Sequence, residues 1–210
     1  MAPEERVVDR RWVLGTIGIG ATVGLAGCLG GDDDEDSEEN GEENGEENGG
    51  EPDLAEPADF PDADDEEGDC AVCKMHSVDY PDWNAQLVHE DGHREYFCSK
   101  GCLIAYYFAP EKFTSGDPDA EIVGVWATSF ESGELIDATE GYFVYERDRD
   151  RHDYPMPRGS PPAFEDREGA VAYVEEYDDL SEDDLFTLED VDREMAEFYR
   201  EPRLEDERED

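Results

Sequence analysis

From residue 85 to 178 the apolar positions fall into short runs separated by turn residues. "AQLVHE" (85–90) alternates imperfectly, "DGHR" (91–94) supplies a turn and "EYFC" (95–98) runs back, which predicts a β-hairpin. "SKGCLIAYYFAPEKF" (99–113) opens on a serine suited to cap a helix and continues as a helical apolar run that ends before Pro110. "AEIVGVWATSF" (120–130) is rich in strand formers, "ESGE" (131–134) is a turn, and "GYFVYER" (141–147) alternates again. "DYPMPRGSPPAF" (153–164) holds four prolines and one glycine and predicts a loop on a constrained path. In "DREGAVAYVEEY" (166–177), Ala170, Val171 and Val174 share one helical face and carboxylates take the rest. The pattern predicts an α+β domain of β-hairpins and short helices over residues 70–180, about 110 residues and enough for a modest core. A last amphipathic stretch, "LEDVDREMAEFYRE" (188–201), predicts a helix in an acidic extension, residues 181–210, read as peripheral to the domain.

Ahead of the domain the apolar pattern disappears. Residues 29–69 hold 21 acidic residues and no Lys or Arg, and include the repeat "EENGEENGEENGG". Such a segment cannot bury a core, so it predicts a disordered acidic tether kept extended by its own charge. Residues 1–28 read differently. Arg10-Arg11 precede a glycine-rich, mildly apolar run that ends "LAGC". The run is short and weak for a spanning helix, which needs roughly 20 apolar residues. It predicts a twin-arginine export signal followed by lipidation at Cys28. The domain is therefore expected on the extracytoplasmic face of the cell membrane, held there by a lipid.

Charge narrows the partners. The chain carries 62 acidic against 16 basic residues, a formal charge of −46. From Cys70 onward there are 38 acidic and 13 basic residues, a net of −25, so the tether is not the whole cause. In dilute buffer such a charge strains a compact fold, whereas at molar salt the Debye length falls to roughly 3 Å and the repulsion is screened. The composition points to a salt-adapted, haloarchaeal type of protein. With no basic patch to meet phosphates, nucleic acid is not an expected partner.

The candidate chemistry lies in the cysteines. Apart from Cys28 they are Cys70, Cys73, Cys98 and Cys102: C-x2-C, 24 residues, then C-x3-C. Cys98 and Cys102 stand where the hairpin's second strand meets a helix N-terminus, which favours thiolate. Three chemistries fit the spacing. Four thiolates suit structural zinc, and an exported docking module held by such a site is one reading. Two disulfides are permitted outside the cytoplasm. Copper(I), being soft, takes thiolate and thioether together. For that third reading Met75 follows Cys73 by two residues, which puts both on one face of an extended segment, and His76 adjoins them. Met156 lies in the proline-held loop, placed to fold over the site. Enzyme motifs are missing: there is no G-x-S-x-G, phosphate loop or nucleotide fingerprint, and the C-x2-C lacks the βαβ setting of a thioredoxin. His76, His89, His93 and His152 do not fall in a metal-hydrolase pattern, and His89 and His93 flank a turn where exposure is expected.

Taken in order, "CAVCKM", "HEDGHREYFCS", "GCLIAYYFAPEKF", "IVGVWATSF", "GELIDATEGYFVYE", "YPMPRGSPPAF" and "DREGAVAYVEEY" resemble the NosL family over roughly residues 70–180. NosL is the lipoprotein accessory factor of nitrous oxide reductase. The resemblance implies a fold of two related small α/β modules. It also implies copper(I) delivered to a client cuproenzyme through an ABC-type maturation complex, without catalysis. By position, Cys73 and Met75 match the family's copper-binding Cys-x-Met element, and Met156 matches the methionine of its Pro/Gly-rich loop. Cys70, Cys98, Cys102 and His76 are the further candidate ligands. Two departures stand out: Lys74 where the family usually has glycine, and the additional thiol of Cys102.

Overall fold

A computed structural model describes residues 54–205 of the chain. The export signal, Cys28 and the first part of the acidic tether lie outside the described residues.

The predicted hairpin forms from β1 (Ala85–His89) and β2 (Arg94–Phe97), turned at Gly92, whose φ of 88° is left-handed. Ser99 caps α1 (Lys100–Phe108), its Oγ accepting the Cys102 amide, and Pro110 follows the helix. β3 (Ile122–Thr128) then lies against β1, and β4 (Leu135–Asp137) against β3. The result is an antiparallel sheet of order β2-β1-β3-β4. A second antiparallel sheet, β6-β5-β7, comprises β5 (Tyr142–Val144), β6 (Ala163–Phe164) and β7 (Leu185–Phe186). Between β6 and β7 runs α2 (Arg167–Glu175), capped by Asp166, and α3 (Arg193–Leu204) closes the described chain.

Both sheets are built alike. A hairpin is followed by a helix, then by a strand that pairs with the hairpin's first strand, giving β2-β1-β3 in one and β6-β5-β7 in the other. This repeated ββαβ unit agrees with the paired modules that the family resemblance implies. The units differ most in the hairpin connection, which is residues 90–93 in the first and residues 145–162, with the proline-rich loop, in the second.

Three expectations change, each for a tertiary reason. All five residues of β1 are buried, which is why its alternation looked imperfect. As an inner strand it is covered on both faces, and its polar side chains are satisfied internally. Gln86 exchanges two hydrogen bonds with the backbone of Ala58, at 2.9 and 2.7 Å. Phe60 meets Tyr96 at 5.5 Å between ring centroids. Residues 54–69, read as tether, thus belong to the packed domain. His89, expected at the surface, is 1% exposed and bridges the Ala120 carbonyl and the Tyr106 hydroxyl, each at 2.9 Å. On α2 it is Tyr173, not Val171, that joins Ala170 and Val174 in the core.

The largest difference is at the C-terminus. Residues 181–204, read as an appendage, supply β7 to the second sheet and α3 to the face of α1. Their burial explains why α1 is apolar all round: every residue from Lys100 to Tyr107 is buried. Tyr199 is fully buried and donates to the Glu146 carbonyl at 3.2 Å. Tyr199→Ala is therefore expected to destabilise the protein by about 3–5 kcal/mol in denaturant unfolding. A peripheral helix would lose almost nothing.

Candidate metal centre

The first pair of cysteines is held on the outer edge of β2. Ala71 donates its amide to the Tyr96 carbonyl at 3.0 Å, and Cys70 bridges to Tyr96. The chain then doubles back: Lys74 N–H reaches Cys70 O and Cys70 N–H reaches Met75 O, both at 2.8 Å. Asp69 and His76 close this small loop as an isolated bridge. The reversal places Lys74 at φ 63°, the one non-glycine residue with positive φ among those described. The Cys73–Met75 segment is thus a tight turn, so strand alternation does not govern where these two side chains lie. A glycine suits this position because an L side chain there costs about 1–2 kcal/mol.

The second pair is placed by the strand-to-helix junction. Cys98 follows β2, Ser99 is the N-cap, and Cys102 sits in the first turn of α1. The four sulfurs converge within 4.8 Å of one another. Cys73 Sγ lies 3.3 Å from Cys98 Sγ, and Cys98 Sγ lies 3.9 Å from Cys102 Sγ. Around a metal with bonds near 2.3 Å, tetrahedral thiolates stand about 3.8 Å apart, so the four atoms suit one soft ion. The four cysteines stand as free thiols. Cys70, Cys98 and Cys102 are wholly shielded, whereas Cys73 keeps 9% of its surface. Cys73 is therefore the least shielded of the four.

Arg200 completes the centre, although no motif announced it. Its side chain is buried and its Nε–H donates to Cys102 Sγ at 3.0 Å. Nη2 donates to the Ser99 hydroxyl at 2.6 Å, and Nη1 to the carbonyls of Gly159 and Tyr199 at 3.2 and 2.6 Å. Burial resists ionisation of Cys102, but hydrogen bonds with Cys70, Cys73 and Cys98, and the nearby guanidinium, outweigh it and bring the thiol well below its usual range. Cys98 is pushed up by its bonds to Cys102, Cys70 and Cys73, and Cys70 is raised chiefly by burial. Of the four, Cys102, beside Arg200, and Cys73 are the two shifted towards thiolate. Lys100, also fully buried, gives its Nζ–H to the Asp82 carbonyl at 3.1 Å and lies 4.9 Å from the Trp83 ring; burial lowers its pKa to about 7.

The remaining candidates divide. Met75 and Met156 are partly buried against the same core cluster as the four cysteines. Met156 lines a groove of about 250 Å³ with Tyr199 and Arg200, which brings the proline-rich loop to the Arg200 side of the cluster. His76 turns away: its Nδ1 lies 2.7 Å from Asp69 Oδ1, its side chain is 46% exposed, and it is not among the groups that converge with the thiols. Cys28 lies outside the described residues. The only sequence signal for Arg200 was Pro202, which follows it inside a helical pattern.

The NosL family model matches residues 63–196. A solved structure of the copper chaperone NosL from Shewanella denitrificans is similar over 66% of this chain and 99% of that one, with 17% identity and a TM-score of 0.48. No curated protein matches the chain in sequence. Lys74→Gly is expected to raise stability by about 1 kcal/mol in chemical unfolding, because relief of the left-handed strain exceeds the entropy that glycine adds to the unfolded chain.

Proposed function

The chain belongs to the NosL family, and on that premise we propose that it is a copper(I) chaperone, a carrier and not an enzyme. The observation that carries this reading is a cluster of four free, converging, buried thiols of which Cys73 is the least shielded. Soft thiolates hold copper(I) against competing hard ligands, and low coordination lets an incoming ligand bind before a resident one leaves. Cys73 is the sulfur an incoming ligand reaches first. Met75, two residues further along the chain, and Met156, on the Arg200 side, are thioether donors for intermediate stages of exchange. Copper is cargo here: it arrives on the cluster and departs through the Cys73 edge.

The client we propose is nitrous oxide reductase, served through an ABC-type maturation complex. The setting we propose is the extracytoplasmic face of the membrane, with a lipid on Cys28 and the acidic segment before residue 54 as tether. The export-type N-terminus and family membership support this reading. Among the described residues no helix is long and apolar enough to cross a membrane.

A second reading has a specific observation in its favour. Four buried sulfurs at near-tetrahedral spacing also suit zinc, which would make the domain a docking module with a fixed ion. Copper(I) titration in molar KCl against a chelator of known affinity separates the two. For copper transport, Cys73→Ser is expected to weaken copper(I) binding by more than roughly a hundredfold, since even outer-shell partners of a metal cost about 10–100-fold. Met75→Leu is expected to slow transfer to an acceptor with little effect on affinity. Unchanged copper affinity in Cys73→Ser, together with one zinc that purifies with the protein, would establish the docking module instead.

A further inference from the structure

We infer that Arg200 sets the charge preference of the four-thiol cluster, favouring a monovalent ion over a divalent one. The inference rests on the cluster being the copper site and concerns what makes that site select its cargo.

The geometry is built around this side chain. Arg200 has non-helical φ and ψ of −141° and 33° inside α3, two residues before Pro202, whose ring forbids regular helix at that point. The kink lets the guanidinium leave the helix and enter the interior. Gly101 makes the room: a Cβ there would stand 2.9 Å from Nη2 and 3.0 Å from the guanidinium carbon. Among the described residues, the hydrogen-bond partners of Arg200 are one sulfur, one hydroxyl and two carbonyls, with no carboxylate. A guanidinium buried without a carboxylate is costly unless another negative charge compensates it. Among the described residues, the groups beside it that can supply that charge are the cysteines of the cluster. Arg200 and the cluster are therefore one electrostatic unit, not a cap and a neighbour.

The consequence depends on the ion. For the same set of thiolate ligands, a divalent ion leaves the cluster one unit less negative than a monovalent ion. Attraction to a fixed positive charge grows in proportion to the cluster's negative charge, so Arg200 stabilises the monovalent complex more than the divalent one. In a shielded site the difference of one unit charge is not screened by salt as it would be at the surface. Four sulfurs at this spacing would otherwise favour the divalent ion, and Arg200 shifts the balance towards copper(I).

The test measures copper(I) and zinc(II) affinities of the full chain by chelator competition, anaerobically, for wild type, Arg200→Met, Arg200→Lys and Gly101→Ala. Arg200→Met is expected to lower the ratio of copper(I) to zinc(II) affinity by roughly tenfold or more. Arg200→Lys, which keeps the charge, should retain most of that ratio. Gly101→Ala, which displaces the guanidinium without deleting it, should shift the ratio in the same direction as Arg200→Met. It keeps the question open to test if Arg200→Met does not fold. Equal losses for both metals would reduce Arg200 to a packing residue and overturn the inference while leaving the copper reading intact. A wild-type protein that binds no copper(I) would overturn both.

Discussion

Four thiols gathered in a protein interior carry more negative charge, once they hold a metal, than the ion can neutralise. Solvent cannot reach three of them, so the compensation has to come from the protein. The N-terminal turn of α1 supplies part of it through the orientation of its amides, and Arg200 supplies a full charge. Much of the rest follows from bringing that arginine in. The helix that carries it must pack on α1, so α1 is apolar on every side. The helix must break where the side chain turns inward. The first turn of α1 must contain a glycine opposite the guanidinium, and the loop through Gly159 must offer a carbonyl to the other side of the fork.

The elements that depend on local chemistry were legible in the sequence. Ser99 and Asp166 cap their helices, Gly92 turns its hairpin, and the spacing of Cys70, Cys73, Cys98 and Cys102 marked them as one set, open to zinc, copper(I) or two disulfides. What stayed hidden depends on distant parts of the chain. His89 looks like a turn residue until Tyr106 and Ala120 arrive from beyond the hairpin to bond both ring nitrogens. The segment before Asp69 reads as more of the acidic tether, because two backbone bonds to Gln86 leave no trace in composition. Arg200 is the plainest case: periodicity assigns an arginine to the wet face, and only a thiolate 98 positions earlier in the chain gives it a reason to be buried.

The four cysteines are arranged unevenly. Cys70, Cys98 and Cys102 are anchored by a sheet edge, a helix cap and an arginine. Cys73 stands at the rim of a turn that Lys74 closes in an unfavourable backbone conformation. The strained backbone and the least shielded cysteine are thus neighbours in the chain. His76, one residue beyond Met75, is committed to Asp69 instead of the cluster.

The repeated ββαβ unit adds something that a single copy could not. At the strand-to-helix junction of the second unit, Glu165 and Gly169 stand in the places that Cys98 and Cys102 hold in the first, relative to the capping residues Asp166 and Ser99. That half is knit instead by Val144, Phe164, Ala170, Tyr173 and Val174. The half that carries the cysteines has an apolar core of its own, with Leu87, Phe97, Leu103, Ile104 and Tyr106 packed around the thiols. Duplication of the unit thus left one junction free for thiol chemistry and gave the other to packing alone.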